Sequence, residues 1–392
     1  MTARLLSALN VVGGSRASRS QHMAGPGEGL ALSSPWRGAP SATRLRSLSK
    51  PRAQSSAQQE SVWKDLAELF GAHSGDPGHW NFSPEWWGSQ GGGWGRDDGQ
   101  VVYRAESEHN GLVEVTAHAA RPISAEVEAE WRVMRFNGIT RQSVSRLVAL
   151  EAGQARVAEP ECLAQEYLKT MAAIYAALHA DQQGSDSGMR LLCLGVGGGS
   201  LPMFLAHHFP RSHVDAVELD PMVIDAATQV MGLPAQQDNL CIHVQDAKNF
   251  VIESMQQEGE AVYDTIFMDV FDGDDNTPTS LLGEEFAAAL GSILNPEHGA
   301  LIMNVHGMSP ALPAQTFRSA LAVKGNKCPA FTIGCKKQPL NETLVCTMGW
   351  DPRLDGRDAA AALTMKAAAV AASAGFRFQA GTRACYNFAT LL

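Results

Sequence analysis

With 392 residues, 45% of them hydrophobic and 18% charged, the chain can bury one large domain with a smaller companion, and its composition excludes a fibrous or wholly disordered protein. No apolar run approaches the ~20 residues of a membrane-spanning helix, so a membrane protein is not expected. Residues 1–59 hold eight Lys/Arg and one acid, leaving 23 basic and 40 acidic residues beyond, net −17; a body that acidic, without a basic patch, argues against nucleic acid and admits a cationic partner such as a lysine side chain or a polyamine.

Residues 1–59 are basic, Ser-rich, acid-poor and without an apolar signal core. They read as an organelle transit peptide, chloroplast or mitochondrial, or as a plain disordered tail. Residues 60–185 form a second region. Ser61–Leu69 reads as a short amphipathic helix, and residues 71–99 as a Gly-rich loop with Trp80, Trp86, Trp87 and Trp94. Those tryptophans either cover a substrate groove or pin the loop to the core. Strand-like runs follow at Val101–Tyr103, Leu112–Ala117 and Trp131–Phe136, with turn signals Asn110-Gly111 and Asn137-Gly138, which predicts a small antiparallel β unit. Gln142 through Leu150 leads into a helix at Cys162–Leu178, with Leu168, Met171, Ile174, Tyr175 and Leu178 at helical spacing.

Residues 186–392 alternate strand and helix as a doubly wound α/β sheet does. Leu191–Leu194 is the first strand, then a glycine loop and a helix over Leu201–His208. His213–Leu219 is the second, and Asp220-Pro221 caps and starts the next helix. Cys241–Val244, Thr265–Val270 and Ala300–Val305 continue the sheet, Phe331–Cys335 and Glu342–Met348 close it as a hairpin, and an Ala-rich helix over 358–374 stops at Gly375. Seven cysteines, none in CxxC spacing, are expected to be reduced and mostly buried, and the histidines give no metal spacing; no metal site is expected.

The loop Gly195-Val196-Gly197-Gly198-Gly199-Ser200 follows an apolar strand and opens a helix, the context in which such a motif binds a nucleotide. A dinucleotide fingerprint wants Gly or Ala where Ser200 stands. Glu218 closes the second strand, where an acid takes both hydroxyls of a ribose. Asp246, followed by Ala247, lies where an acid can accept an adenine amine. The fourth strand ends in Asp269-Val270-Phe271-Asp272-Gly273-Asp274-Asp275, an anionic mouth at the sheet's switch point.

Leu191 to Pro202, Val214 to Pro221, Gln245-Asp246-Ala247 and Tyr263 to Phe271 together resemble the spermidine-synthase-like branch of class I S-adenosylmethionine-dependent methyltransferases, and within it the methyltransferase-like 13 group, which includes lysine methyltransferases of a translation elongation factor. The resemblance implies a Rossmann-like class I methyltransferase sheet behind a small amino-terminal antiparallel β unit. It implies S-adenosyl-L-methionine as cofactor, with Gly195, Gly197 and Gly199 lining it, Glu218 on its ribose, and Asp246 with Ala247 on adenine. Asp269 would face the reacting amine and Asp272 the far amine of a polyamine; Gln142 and Tyr167 fall near substrate positions, Gln142 one residue out of step. A homodimer is a further implication.

The chain departs from aminopropyltransferases at one telling place. Their loop carries an aspartate where Gly198 stands here. That acid suits the decarboxylated cofactor; its absence leaves room for a methionine carboxylate. The expected activity is therefore methyl transfer to a protein or small-molecule amine, with aminopropyl transfer and a non-catalytic binding protein as alternatives.

Overall fold

Period-two alternation in residues 100–149 builds a meander that two left-handed turns make possible. In the computed structural model, which describes residues 99–120, 128–137, 140–149, 156–182, 188–256, 263–272, 276–322, 328–335, 338, 340–348 and 356–391, strands β1 (Gln100–Ser107), β2 (Gly111–Ala119), β3 (Glu128–Phe136), β4 (Thr140–Ala149) and β5 (Val157–Ala158) pair antiparallel in chain order. The turn residues Gly111 and Asn137 have φ of 67° and 52°, and the Asn137 side chain accepts the Leu112 N–H at 3.1 Å. Strand β4 corrects the sequence reading, which ran this stretch toward the following helix. Its alternation is disguised because one inward position is Arg146, a buried cation paired at 2.8 Å with Glu159 and stacked over Trp131. Burial pushes the Glu159 carboxyl up to about 7 against the pull of that arginine. The proposed helix at residues 61–69, the Trp-rich loop and the basic amino-terminal segment lie outside the described residues.

Helix α1 (Glu166–Leu178) starts four residues later than Cys162 and is buried on nearly every side. The second sheet has eight strands in the order β13-β11-β12-β10-β9-β6-β7-β8. Strands β6 (Arg190–Leu194), β7 (His213–Glu218), β8 (Leu240–Val244), β9 (Thr265–Met268) and β10 (Ala300–His306) are parallel; β11 (Ala330–Gly334), β12 (Asn341–Thr347) and the short β13 (Ala389–Leu391) are antiparallel. Apolar side chains on one face pack against α1, α2 (Ser200–His208) and α7 (Gly356–Ala374). The opposite face packs against α4 (Ala247–Gln256), α5 (Glu284–Ile293) and α6 (Ala311–Leu321), three helices that the strand pattern alone passes over. Among the described residues no helix is long and apolar enough to cross a membrane. All described cysteines are free thiols, five of them buried.

Asp220 joins the two sheets. It caps α3 (Pro221–Val230) by accepting the Met222 N–H at 2.8 Å, as the Asp-Pro pair predicts. Its other oxygen accepts Asn110 Nδ2 at 2.7 Å and the Ser107 hydroxyl from the turn between β1 and β2. Tyr103 adds a bond to Asp225 at 2.8 Å on the same helix. Asp220→Ala removes the cap and strands a buried amide donor, so it should lower unfolding free energy by about 2 kcal/mol or more. Urea unfolding of the variant checks this; a loss below about 0.5 kcal/mol, the range of an ordinary surface change, contradicts the joint.

Candidate active site

The parallel strands β6 and β9 end side by side, and a cleft of about 280 Å³ opens over their carboxyl ends. This is the switch point at which doubly wound sheets bind ligands. Gly195 leaves β6 with φ of 87°, and a Cβ there would stand 2.1 Å from the Asp269 carbonyl oxygen, so no other residue lets the two strand ends lie this close.

The loop is held from both sides. Glu218 Oε2 accepts the N–H groups of Val196 at 3.0 Å and Gly197 at 3.2 Å, while Oε1 accepts that of Asp220 at 3.2 Å. Burial raises its carboxyl above the ordinary range, and the three backbone donors oppose the rise. From the other sheet, Ser143 Oγ accepts the Gly198 N–H at 2.9 Å, and Ser200 donates to the Val144 carbonyl at 3.1 Å. Strand β4 therefore supplies one wall of the cleft.

Asp269 is a second anchored acid in the cleft, held by side chains. Tyr167 donates its hydroxyl to Oδ2 at 3.0 Å, and Asn304 Nδ2 donates to Oδ1 at 2.8 Å. Asn341 in turn donates to Asn304 Oδ1 at 3.0 Å, so the carboxylate is positioned by a chain from α1, β10 and β12. Asp272, three residues on, accepts the Asn276 N–H at 2.9 Å and shapes the cleft rim. Asp246 Oδ1 accepts the Asn249 N–H at 2.9 Å and so caps the start of α4, beside Ala247.

Of the residues singled out in the sequence, Gly195, Gly197, Tyr167, Glu218, Asp246, Ala247, Asp269 and Asp272 all line this cleft. Gly199 does not. With φ of 82° it turns the chain into α2, and its Cα packs against Leu233. Gln142 sits on β4, but its side chain lies outside the described residues, as do Gly273, Asp274 and Asp275 of the acidic run. Its neighbour Ser143 is the β4 residue that reaches the loop. Sequence reasoning missed Ser143, Asn110 and Asn304; each is a common polar residue in a strand or turn, with no local signal of its long-range partner.

No family model matches the chain. A human eEF1A lysine and N-terminal methyltransferase is 37% identical over 213 residues, which cover 52% of this chain and 29% of that protein. A polyamine aminopropyltransferase of Vibrio vulnificus is 34% identical over 120 residues, 31% of this chain and 38% of that one. A solved probable spermidine synthase of Corynebacterium glutamicum superposes with a TM-score of 0.50 at 18% identity, covering 70% of this chain and 94% of the other. The chain has the Rossmann-like α/β fold of the spermidine synthases. It spans less than a third of the curated methyltransferase's length.

The fold also gives position 198 a physical meaning. A Cβ on Gly198 would stand 2.6 Å from the Met231 methyl and 3.0 Å from Ser143 Cβ, so a side chain at this position has to displace its neighbours. Gly198→Ala should cost about 1–3 kcal/mol by overpacking. Trimming the neighbour in Gly198→Ala/Met231→Ala should recover part of that loss; a neutral single variant in urea unfolding contradicts the crowding.

Proposed function

We propose that this chain is an S-adenosylmethionine-dependent N-methyltransferase acting on a protein amine, a lysine side chain or an amino terminus. The observation that carries this reading is the glycine at position 198. It leaves the loop without an acid, so the cleft does not repel a cofactor that keeps its methionine carboxylate. The similarity of part of this chain to an eEF1A lysine and N-terminal methyltransferase points the same way.

The residues present fit the cofactor. An ionised carboxylate offers about four acceptor positions. Glu218 uses three on backbone donors and faces the cleft with capacity for a ribose hydroxyl. Asp246 and Ala247 stand at the amino end of α4, where first-turn N–H groups have no partner within the helix, and would hold the adenine edge. When bound, the cofactor supplies an activated methyl group that an unprotonated amine attacks directly.

The chain's own task is to bring that amine in and free its lone pair. An amine with an ordinary pKa near 10.4 arrives protonated. Asp269 and Asp272 attract it. The Tyr167 and Asn304 donors fix the Asp269 carboxylate in place, which suits it to positioning. Asp269 therefore orients the amine and passes its proton to water at the cleft mouth, and Asp272 steers the cation inward.

Transfer of labelled methyl to purified eEF1A and to a cell lysate, with and without putrescine, tests the reading; label is expected in protein and independent of putrescine. Glu218→Ala should weaken cofactor binding about ten- to hundred-fold, the worth of one hydrogen bond to a charged group. Asp269→Asn should cut transfer about 10²-fold or more with cofactor affinity nearly unchanged. A calorimetric preference for decarboxylated S-adenosylmethionine would sink the methyl reading in favour of aminopropyl transfer, to which the Vibrio relative is the pointer.

A further inference from the structure

On the α4 face of the large sheet, at its β8 edge, four side chains able to bind a metal share one patch. Strands β7 and β8 run parallel, with Asp215 paired to Cys241 and Val217 to His243. Residues two apart in a strand point to the same face. Asp215 on β7 therefore stands beside Cys241 on β8, with His243 one same-face pair further along and His213 one pair back. Single donor atoms of Asp215, Cys241 and His243 all lie within 4.8 Å of one another. His243 Nε2 is 2.8 Å, and His213 Nε2 3.4 Å, from the same oxygen, Asp215 Oδ1.

The two oxygens of Asp215 have separate duties. Oδ2 accepts the Tyr263 hydroxyl at 3.0 Å and has Arg190 Nη2 at 3.6 Å, the latter lying over the Tyr263 ring. Oδ1 is turned toward the imidazoles. A carboxylate ligand held from behind by outer hydrogen bonds is the usual support of a metal site. His243 is likewise steadied by the Phe250 ring, 4.8 Å between centroids. Asp215 is only 5% exposed, whereas Cys241 is exposed and the histidines are partly so, which leaves the patch open to an ion from solvent.

We propose that Asp215, Cys241 and His243 bind one zinc-class divalent ion that fastens β8 to β7, with the partly exposed His213 swinging in from beside Asp215 as the fourth ligand. Two imidazoles, one thiolate and one carboxylate are the borderline-soft donor set zinc takes in four-coordinate sites. Hydrogen bonding alone explains the histidines, Tyr263 and Arg190 but gives the thiol no part. On binding, Cys241 releases its proton to solvent and forms a metal–sulfur bond. His243 exchanges its contact with Asp215 for the ion, and the two ligand atoms separate from 2.8 Å to about 3.3 Å, the spacing that tetrahedral bonds of ~2.0 Å require. Asp215 lies three residues before Glu218, about 10 Å down the strand, so the ion sits apart from the cleft.

Cobalt loading of the full chain after chelator stripping tests this. Expected are one ion per chain, a near-ultraviolet sulfur-to-cobalt charge-transfer band, the intense visible bands of a four-coordinate ion, and loss of all three on adding zinc. Cys241→Ser should abolish the charge-transfer band, and His243→Gln should weaken zinc binding at least ~10-fold; Tyr263→Phe, a positioning change, should keep the band while costing about ten- to hundred-fold in affinity. Cys241 is exposed, so its variant should melt with the metal-free wild type, which separates ligand loss from misfolding. No cobalt uptake by the wild type from a micromolar excess, a charge-transfer band that survives Cys241→Ser, or zinc affinity unchanged in His243→Gln would each overturn the site.

Discussion

Around the loop after β6, three pieces of backbone crowd together. Gly195 passes against the Asp269 carbonyl, and Gly198 is closed in by Met231 and by Ser143 of the other sheet. The absence of Cβ atoms permits that approach, and the loop's N–H groups then need acceptors. Glu218 and Ser143 supply them. The cleft, the placement of Asp269 beside it and the docking of the antiparallel sheet all follow from this one crowded crossing.

The same crossing ties binding to stability. Glu218 is a cofactor ligand in the proposed function and also an internal acceptor that shapes the empty loop. Its raised pKa records that tension, since burial disfavours the charge that the three N–H groups stabilise. Asp269 is anchored by side chains from elements far apart in sequence, which gives the negative charge at the mouth a defined position and suits it to orient a cation.

The amino-terminal sheet is a wall of the site as well as an appendage to the fold. Ser143 touches the loop, Asn110 and Ser107 hold the cap of α3, and Tyr103 holds the same helix one turn on. A buried arginine pair, Arg146 with Glu159, lies behind that wall. Such pairs contribute little net stability but are costly to break, so the wall is defined in register more than it is strengthened.

Local chemistry made much of this legible in the chain itself. Apolar runs, the glycine loop and Asp220-Pro221 announced the parallel core and its order of elements, because each depends on neighbours within a few residues. Glu218, Asp246 and Asp269 were legible for the same reason: each ends a strand, and strand ends converge in a doubly wound sheet. Strand β4 was hidden because its inward charge is neutralised by a residue thirteen positions away. Ser143, Asn304 and the four-residue patch around Asp215 were hidden for a related reason. His213 with Asp215 and Cys241 with His243 are unremarkable pairs until parallel pairing sets β7 beside β8. The sequence determined which strand ends would carry charge and where the loop would turn. Only the tertiary structure decided which distant side chains face them, since that depends on strand register and sheet order, which no local pattern encodes.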